Sequence, residues 1–159
     1  MDKFKKNILI LGIGNEILSD DGIGIRLVKD LAGISGWKDA EFLTCSCGGL
    51  EVIEYIKEYK KVIIIDSIKT VRGRPGDIFH FIPSDFRETC NLSNLHDVNF
   101  ITALGIGENL GLNMPAEIHI IAVEIIENRK FSEKLSPSLE SMYTGILGKA
   151  EQEIKKLIY

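Results

Sequence analysis

At 159 residues, with 45% hydrophobic and 26% charged residues, the chain has an ordinary globular composition and is long enough for one substantial core. A net charge of −4, with no basic block to neutralise phosphates, argues against a nucleic-acid partner. The opening MDKFKKN runs into an apolar stretch that is too short to span a membrane and lacks a signal-peptide cleavage pattern. A single cytoplasmic domain over 1–159, with no membrane insertion, is therefore expected.

The elements follow in chain order. NILILGI (Asn7 to Ile13) is a continuous apolar run, as expected of a strand buried on both faces of a parallel sheet. GIGIRLVKDLA (Gly22 to Ala32) places Ile23, Leu27, Val28 and Leu31 on one helical face. AEFLT (Ala40 to Thr44) reads as a second strand. LEVIEYIKEYK (Leu50 to Lys60) reads as a helix with Leu50, Ile53 and Ile56 inward. KVIIIDS (Lys61 to Ser67) is another fully buried strand.

After GRPGD (Gly73 to Asp77), which carries turn chemistry, DIFHFI (Asp77 to Ile82) is expected as an antiparallel edge strand. A helix near Asp97 to Leu110 follows, weakened by Gly105 and Gly107. EIHIIAV (Glu117 to Val123) is the last strand. The final helix has Ser136 as N-cap and Pro137 at its first position, and its apolar stripe runs from Leu139 to Ile158. This order predicts a three-layer α/β/α sandwich around a mostly parallel, roughly five-stranded sheet with one antiparallel strand.

Cys45, Cys47 and Cys90 form no C-x-x-C, and are expected as reduced, largely structural thiols, with a redox or metal role as the alternative for Cys45 and Cys47. His80 and His119, each within a strand, are expected as packing or surface residues rather than ligands. No G-x-S-x-G elbow or H-E-x-x-H motif occurs.

The loop after the first strand, GIGNEILSDDGIG, imitates a dinucleotide fingerprint. Gly12 and Gly14 fit, but Ile17 stands at the third glycine position and the second strand ends without an acidic residue. A phosphate there would face Asp20 and Asp21. Asp20 is placed to cap the following helix, which leaves Asp21 free to reach a cation. Asp66 ends the VIIID strand, and in a doubly wound sheet both carboxylates would converge at the carboxyl edge. His96 lies just ahead of a helix that can start at the same edge, and Asp97 beside it either orients the imidazole or caps that helix. Asp21, Asp66 and His96 together suit a divalent first-row metal.

These segments together resemble the hydrogenase maturation proteases, the endopeptidases that trim the C-terminus of the nickel–iron hydrogenase large subunit. LGIGNEILSDDGIG is similar to that family's opening signature, VIIIDSI to its metal-binding aspartate segment, and LHD to its histidine segment. GGLEVIEYI, RPGDIFHF and SPSLESM occur in the family's order. The resemblance implies that Asp21, Asp66 and His96 carry catalysis and contact the nickel already loaded in the large-subunit precursor. Nickel would then be the recognition element, and other divalent ions would be able to occupy the site in vitro. One departure is Thr44, Cys45 and Ser46 ahead of Cys47, Gly48 and Gly49, where many relatives have an aspartate and paired glycines. It bears on which hydrogenase is served. A nucleotide-binding α/β enzyme and a non-cutting, metal-checking maturation chaperone are the competing readings. Whether the metal polarises the scissile carbonyl, activates a water, or leaves a carboxylate as general base stays open at this level.

Overall fold

In a computed structural model, residues 4, 6–85, 89–92 and 99–159 are described. Five strands form one sheet: β1 (Lys6–Ile13), β2 (Ala40–Cys45), β3 (Tyr59–Ile68), β4 (Ile78–Phe81) and β5 (Glu117–Glu124). Their spatial order is β2-β1-β3-β5-β4. All pairs are parallel except β4 with β5, which is antiparallel. The sandwich and the antiparallel edge strand are as expected from the apolar runs.

Helices α1 (Ile23–Ala32) and α4 (Pro137–Ile158) cover one face; α2 (Val52–Ile56) and α3 (Phe100–Asn109) cover the other. Strand alternation divides the core accordingly. Ile10, Ile63, Ile65, Ile121 and Val123 face α1 and α4, whereas Leu9, Leu11, Val62, Ile64 and Ile120 face α2 and α3. Each such fully buried side chain contributes roughly 1.5–3 kcal/mol. On α1 the four expected residues, Ile23, Leu27, Val28 and Leu31, are all buried. Met142, an apolar residue within the Leu139 to Ile158 stretch of α4, is exposed.

Two local expectations change. The helix expected over Leu50 to Lys60 shrinks to α2, because Glu58 takes a φ of 76° and Tyr59 already belongs to β3. Leu50 falls in the single 3₁₀ turn before α2 and is exposed rather than inward. The expected helix from Asp97 is described from Phe100, with Asn99 as its N-cap accepting from the Thr102 N–H at 2.9 Å. Residues 93–98, and with them His96 and Asp97, lie outside the described residues.

Glycine permits α1 to lie directly on the sheet. A Cβ on Gly12 would stand 2.6 Å from the Gly24 carbonyl oxygen, and one on Gly24 would stand 2.6 Å from the Ile13 carbonyl oxygen. Neither glycine has a positive φ, so close approach of backbones, not turn geometry, is what requires them. That approach fixes the loop between β1 and α1 over the carboxyl end of the sheet.

Candidate active site

The strand order reverses between β1 and β3, and the loops beyond their carboxyl ends meet there. Asp20 and Asp21 lie in a single 3₁₀ turn, Ser19–Gly22, immediately before α1. Although adjacent, their side chains do different things.

The Asp20 carboxylate is fully buried and accepts four hydrogen bonds from one distant loop. Their donors are the Ile126 N–H (3.2 Å), Glu127 N–H (2.9 Å), Ser136 N–H (2.6 Å) and Ser136 hydroxyl (2.9 Å). It makes no cap to α1, whose N-cap is Gly22 without a side-chain hydrogen bond. The expected capping role is therefore replaced by a tie to the segment between β5 and α4. The same contacts explain why Ser136 does not cap α4 through its hydroxyl: that hydroxyl donates to Asp20.

Asp21 and Asp66 come together as expected. Asp21 Oδ1 accepts from the Ser67 hydroxyl (3.0 Å) and from Asn91 Nδ2 (3.2 Å). Asp66, at the carboxyl end of β3, has no exposed surface. Its Oδ1 accepts from the Ser67 N–H (2.7 Å) and from the same Asn91 amide; its Oδ2 accepts from the Thr89 hydroxyl and the Leu92 N–H (3.3 Å). A single amide nitrogen thus lies between two carboxylates, where a cation would also be held.

Burial pushes the Asp66 carboxyl up to about 7 against the donors from Thr89, Asn91 and Ser67, which act to keep it ionised. Burial raises Asp21 as well, opposed by Ser67 and Asn91. Two carboxyls titrating above their ordinary range at a strand-order reversal mark a candidate functional site on physical grounds. Cys90, nearby, is a poor nucleophile at neutral pH, because burial pushes its thiol up to about 11. Covalent catalysis through this thiol is disfavoured.

Above these groups opens a polar cavity of about 290 Å³, lined by Asn15, Asp21, Cys47, Glu51, Cys90, Asn91 and Asn128 among others. Asp21 lines it; Asp66 sits beneath, behind Asn91. A more apolar cavity of about 390 Å³ beside Phe79 and Phe81 is larger, but Asp77 is its only acidic residue. Cys45 and Cys47 are joined in a disulfide, with Cα atoms 5.2 Å apart, and are not the free thiols expected. The physical reason is local: Cys45 ends β2 and Cys47 lies just beyond it, past a bend at Ser46 that brings the two Cα atoms within bridging distance. Cys90 is free.

Among the described residues, no group of three or more His, Cys, Asp or Glu side chains is placed to hold a metal ion. Asp21 and Asp66 are the described members of the expected set, and both are hard oxygen donors of the kind a divalent ion takes. Ser67, Thr89 and Asn91 were not singled out from sequence. Ser67 adjoins Asp66 and so had a positional signal; Thr89 and Asn91 lie in a stretch with no periodicity and had none.

A model of the family described as "HycI: Hydrogenase maturation protease" matches residues 25–153. The chain belongs to the hydrogenase maturation protease family. Its members are peptide hydrolases, and this chain is a hydrogenase maturation endopeptidase by family. The match includes Asp66 and begins after Asp21. Among relatives, the chain is 28% identical over 141 residues to the hydrogenase 2 maturation protease of Escherichia coli K12, covering 85% of this chain and 82% of that one. It is 23% identical over 160 residues to the hydrogenase expression/formation protein HupD of Rhodobacter capsulatus, covering 98% of this chain and 75% of that protein. The hydrogenase-maturating endopeptidase HybD of E. coli superposes with a TM-score of 0.70 at 23% identity, over 94% of this chain and 93% of that one. This likeness shows that the maturation proteases' α/β fold is shared.

Proposed function

We propose that this endopeptidase removes the C-terminal extension of a nickel–iron hydrogenase large-subunit precursor, and that it acts on the precursor only once nickel is in place. The observation that carries this reading is the convergence of Asp21 and Asp66 on one amide nitrogen, beside an open polar cavity. Two oxygen donors at that point favour a divalent cation, and here the cation is part of the substrate. His96 is proposed as the third contact; it follows the described Asn91–Leu92 segment by four residues. Nickel within the precursor supplies the positive charge that would hold both carboxylates ionised.

The chain's own residues then have separable tasks. Asn91 withdraws from between the carboxylates as the precursor docks. Ser67 keeps Asp21 oriented through its hydroxyl. Asp66, whose carboxyl burial holds near 7 in the free chain, becomes ionised against the nickel and is then available as a proton acceptor. The cytoplasm, where such a precursor would be assembled, is the proposed compartment.

Purified protein incubated with nickel-loaded and nickel-free precursor, followed by mass spectrometry, tests the reading. Tail removal from the loaded form alone is expected. Cleavage of both forms would overturn nickel recognition; binding without cleavage would favour a checking module.

A further inference from the structure

Three residues along β5 from the level of Asp66, toward the amino end of that strand, two histidines on neighbouring strands meet. His80 on β4 and His119 on β5 place Nε2 and Nδ1 3.0 Å apart, with ring planes inclined by 41°. His119 is in register with Ile63 of β3, and Asp66 with Ala122 of β5, so three residues or about 10 Å of strand separate the two places. The histidines are 39 positions apart in sequence, and no spacing motif announces the pair.

We propose that His80 and His119 form a two-histidine site for a divalent first-row cation of borderline softness, such as Zn²⁺, Ni²⁺ or Cu²⁺, completed by water. Two imidazole nitrogens bonded at about 2.0–2.1 Å to one ion stand about 2.9 Å apart at a right angle and about 3.4 Å apart in a tetrahedron. The observed separation falls inside that interval. Both rings are carried on paired strands, so little ordering is required to present them together.

The surroundings support ligation through these particular nitrogens. Glu117 Oε2 lies 3.7 Å from His119 Nε2, the ring nitrogen that does not face His80. A carboxylate on that side draws the ring proton to Nε2 and leaves the Nδ1 lone pair directed at His80, the arrangement common for metal-bound imidazoles. His80 now supplies the hydrogen that joins the two rings. Ligation needs that proton carried on its Nδ1 instead, with no net release from a neutral pair. Lys61, which also faces this corner, is held by Glu117 at 3.0 Å. Burial, with His80 and Lys61 nearby, lowers the His119 pKa and keeps its imidazole neutral. His80 is exposed, so the site opens to solvent and takes up its ion without unfolding.

The experiment is calorimetric titration of the full chain with ZnCl₂ at pH 7.5, on the wild type, His80→Ala, His80→Gln and the double variant Asp21→Asn/Asp66→Asn. Wild type and the double variant are expected to share one binding event that both His80 variants lose or weaken at least tenfold. Substoichiometric Cu²⁺ should broaden the imidazole C–H signals of both rings first in NMR spectra. Circular dichroism verifies the fold of each variant. Equal stoichiometry and affinity in folded His80 variants, or broadening that spares the two rings, would overturn the proposal.

Discussion

Ser67 donates its hydroxyl to Asp21 Oδ1 at 3.0 Å, so the residue that follows Asp66 on β3 orients the carboxylate that follows β1. The two acids are thereby positioned by one strand end. Asp21→Asn and Asp66→Asn should each slow tail removal by about 10² or more, the usual scale for losing a positioned acid–base group. Single-turnover cleavage of saturating loaded precursor measures it. Near-wild-type rates in either variant would remove that residue from the chemistry.

Asn91 donates to both acids and favours their ionised forms. Its loss, in Asn91→Ala, should raise both carboxyls further. The acidic limb of the kcat/KM profile, which reports the free enzyme, is then expected to move to higher pH, with a larger defect at pH 6 than at pH 8. A uniform loss across that range would point to a merely structural amide.

The Asp66 carboxyl, raised from 3.8 to about 7, favours the protonated form in the folded chain. Its contribution to stability is complete below about pH 4 and is lost as pH rises through 7. Between pH 5 and pH 8, wild type should lose roughly 2–3 kcal/mol that Asp66→Asn keeps. Urea unfolding at both pH values tests the difference, and parallel pH dependences would contradict it.

The adjacent acids should separate cleanly by assay. Asp20→Ala strands four donors at one buried point and should cost about 3 kcal/mol or more. Asp21→Ala removes a carboxylate raised by burial, and is expected to alter stability little while abolishing cleavage. Denaturation midpoints and cleavage rates on the same samples compare the two.

A methyl group on Gly24 would press on the backbone carbonyl oxygens of Ile13 and Ile65, which have no freedom to retreat. Gly24→Ala should cost about 1–3 kcal/mol through overpacking, read as a shifted urea midpoint at unchanged slope.

The sheet was legible in sequence because strands buried on both faces leave uninterrupted runs such as NILILGI and KVIIIDS. Asp21 and Asp66 were legible for a related reason: each acid follows an apolar strand or its loop, at an edge that topology predicts. The role of Asp20 was not, since its partners lie 106 to 116 residues away and local pattern pointed to a helix cap. Helix α2 was overextended because Tyr59 fits an apolar helical face and a buried strand equally well; its hydroxyl donates to Glu41 at 2.6 Å on the strand side. The histidine pair and Asn91 needed three dimensions, being products of strand register and loop placement.

Asp20 also has a bearing on synthesis. A chain emerging from the ribosome exposes the Ser19–Gly22 turn long before residues 126–136 exist to donate to its carboxylate. Until that stretch has been translated, burying Asp20 would leave a charge without partners, and the turn that carries Asp21 has no fixed seat. A growing chain thus lacks the donors that seat this turn until four-fifths or more of it has been made.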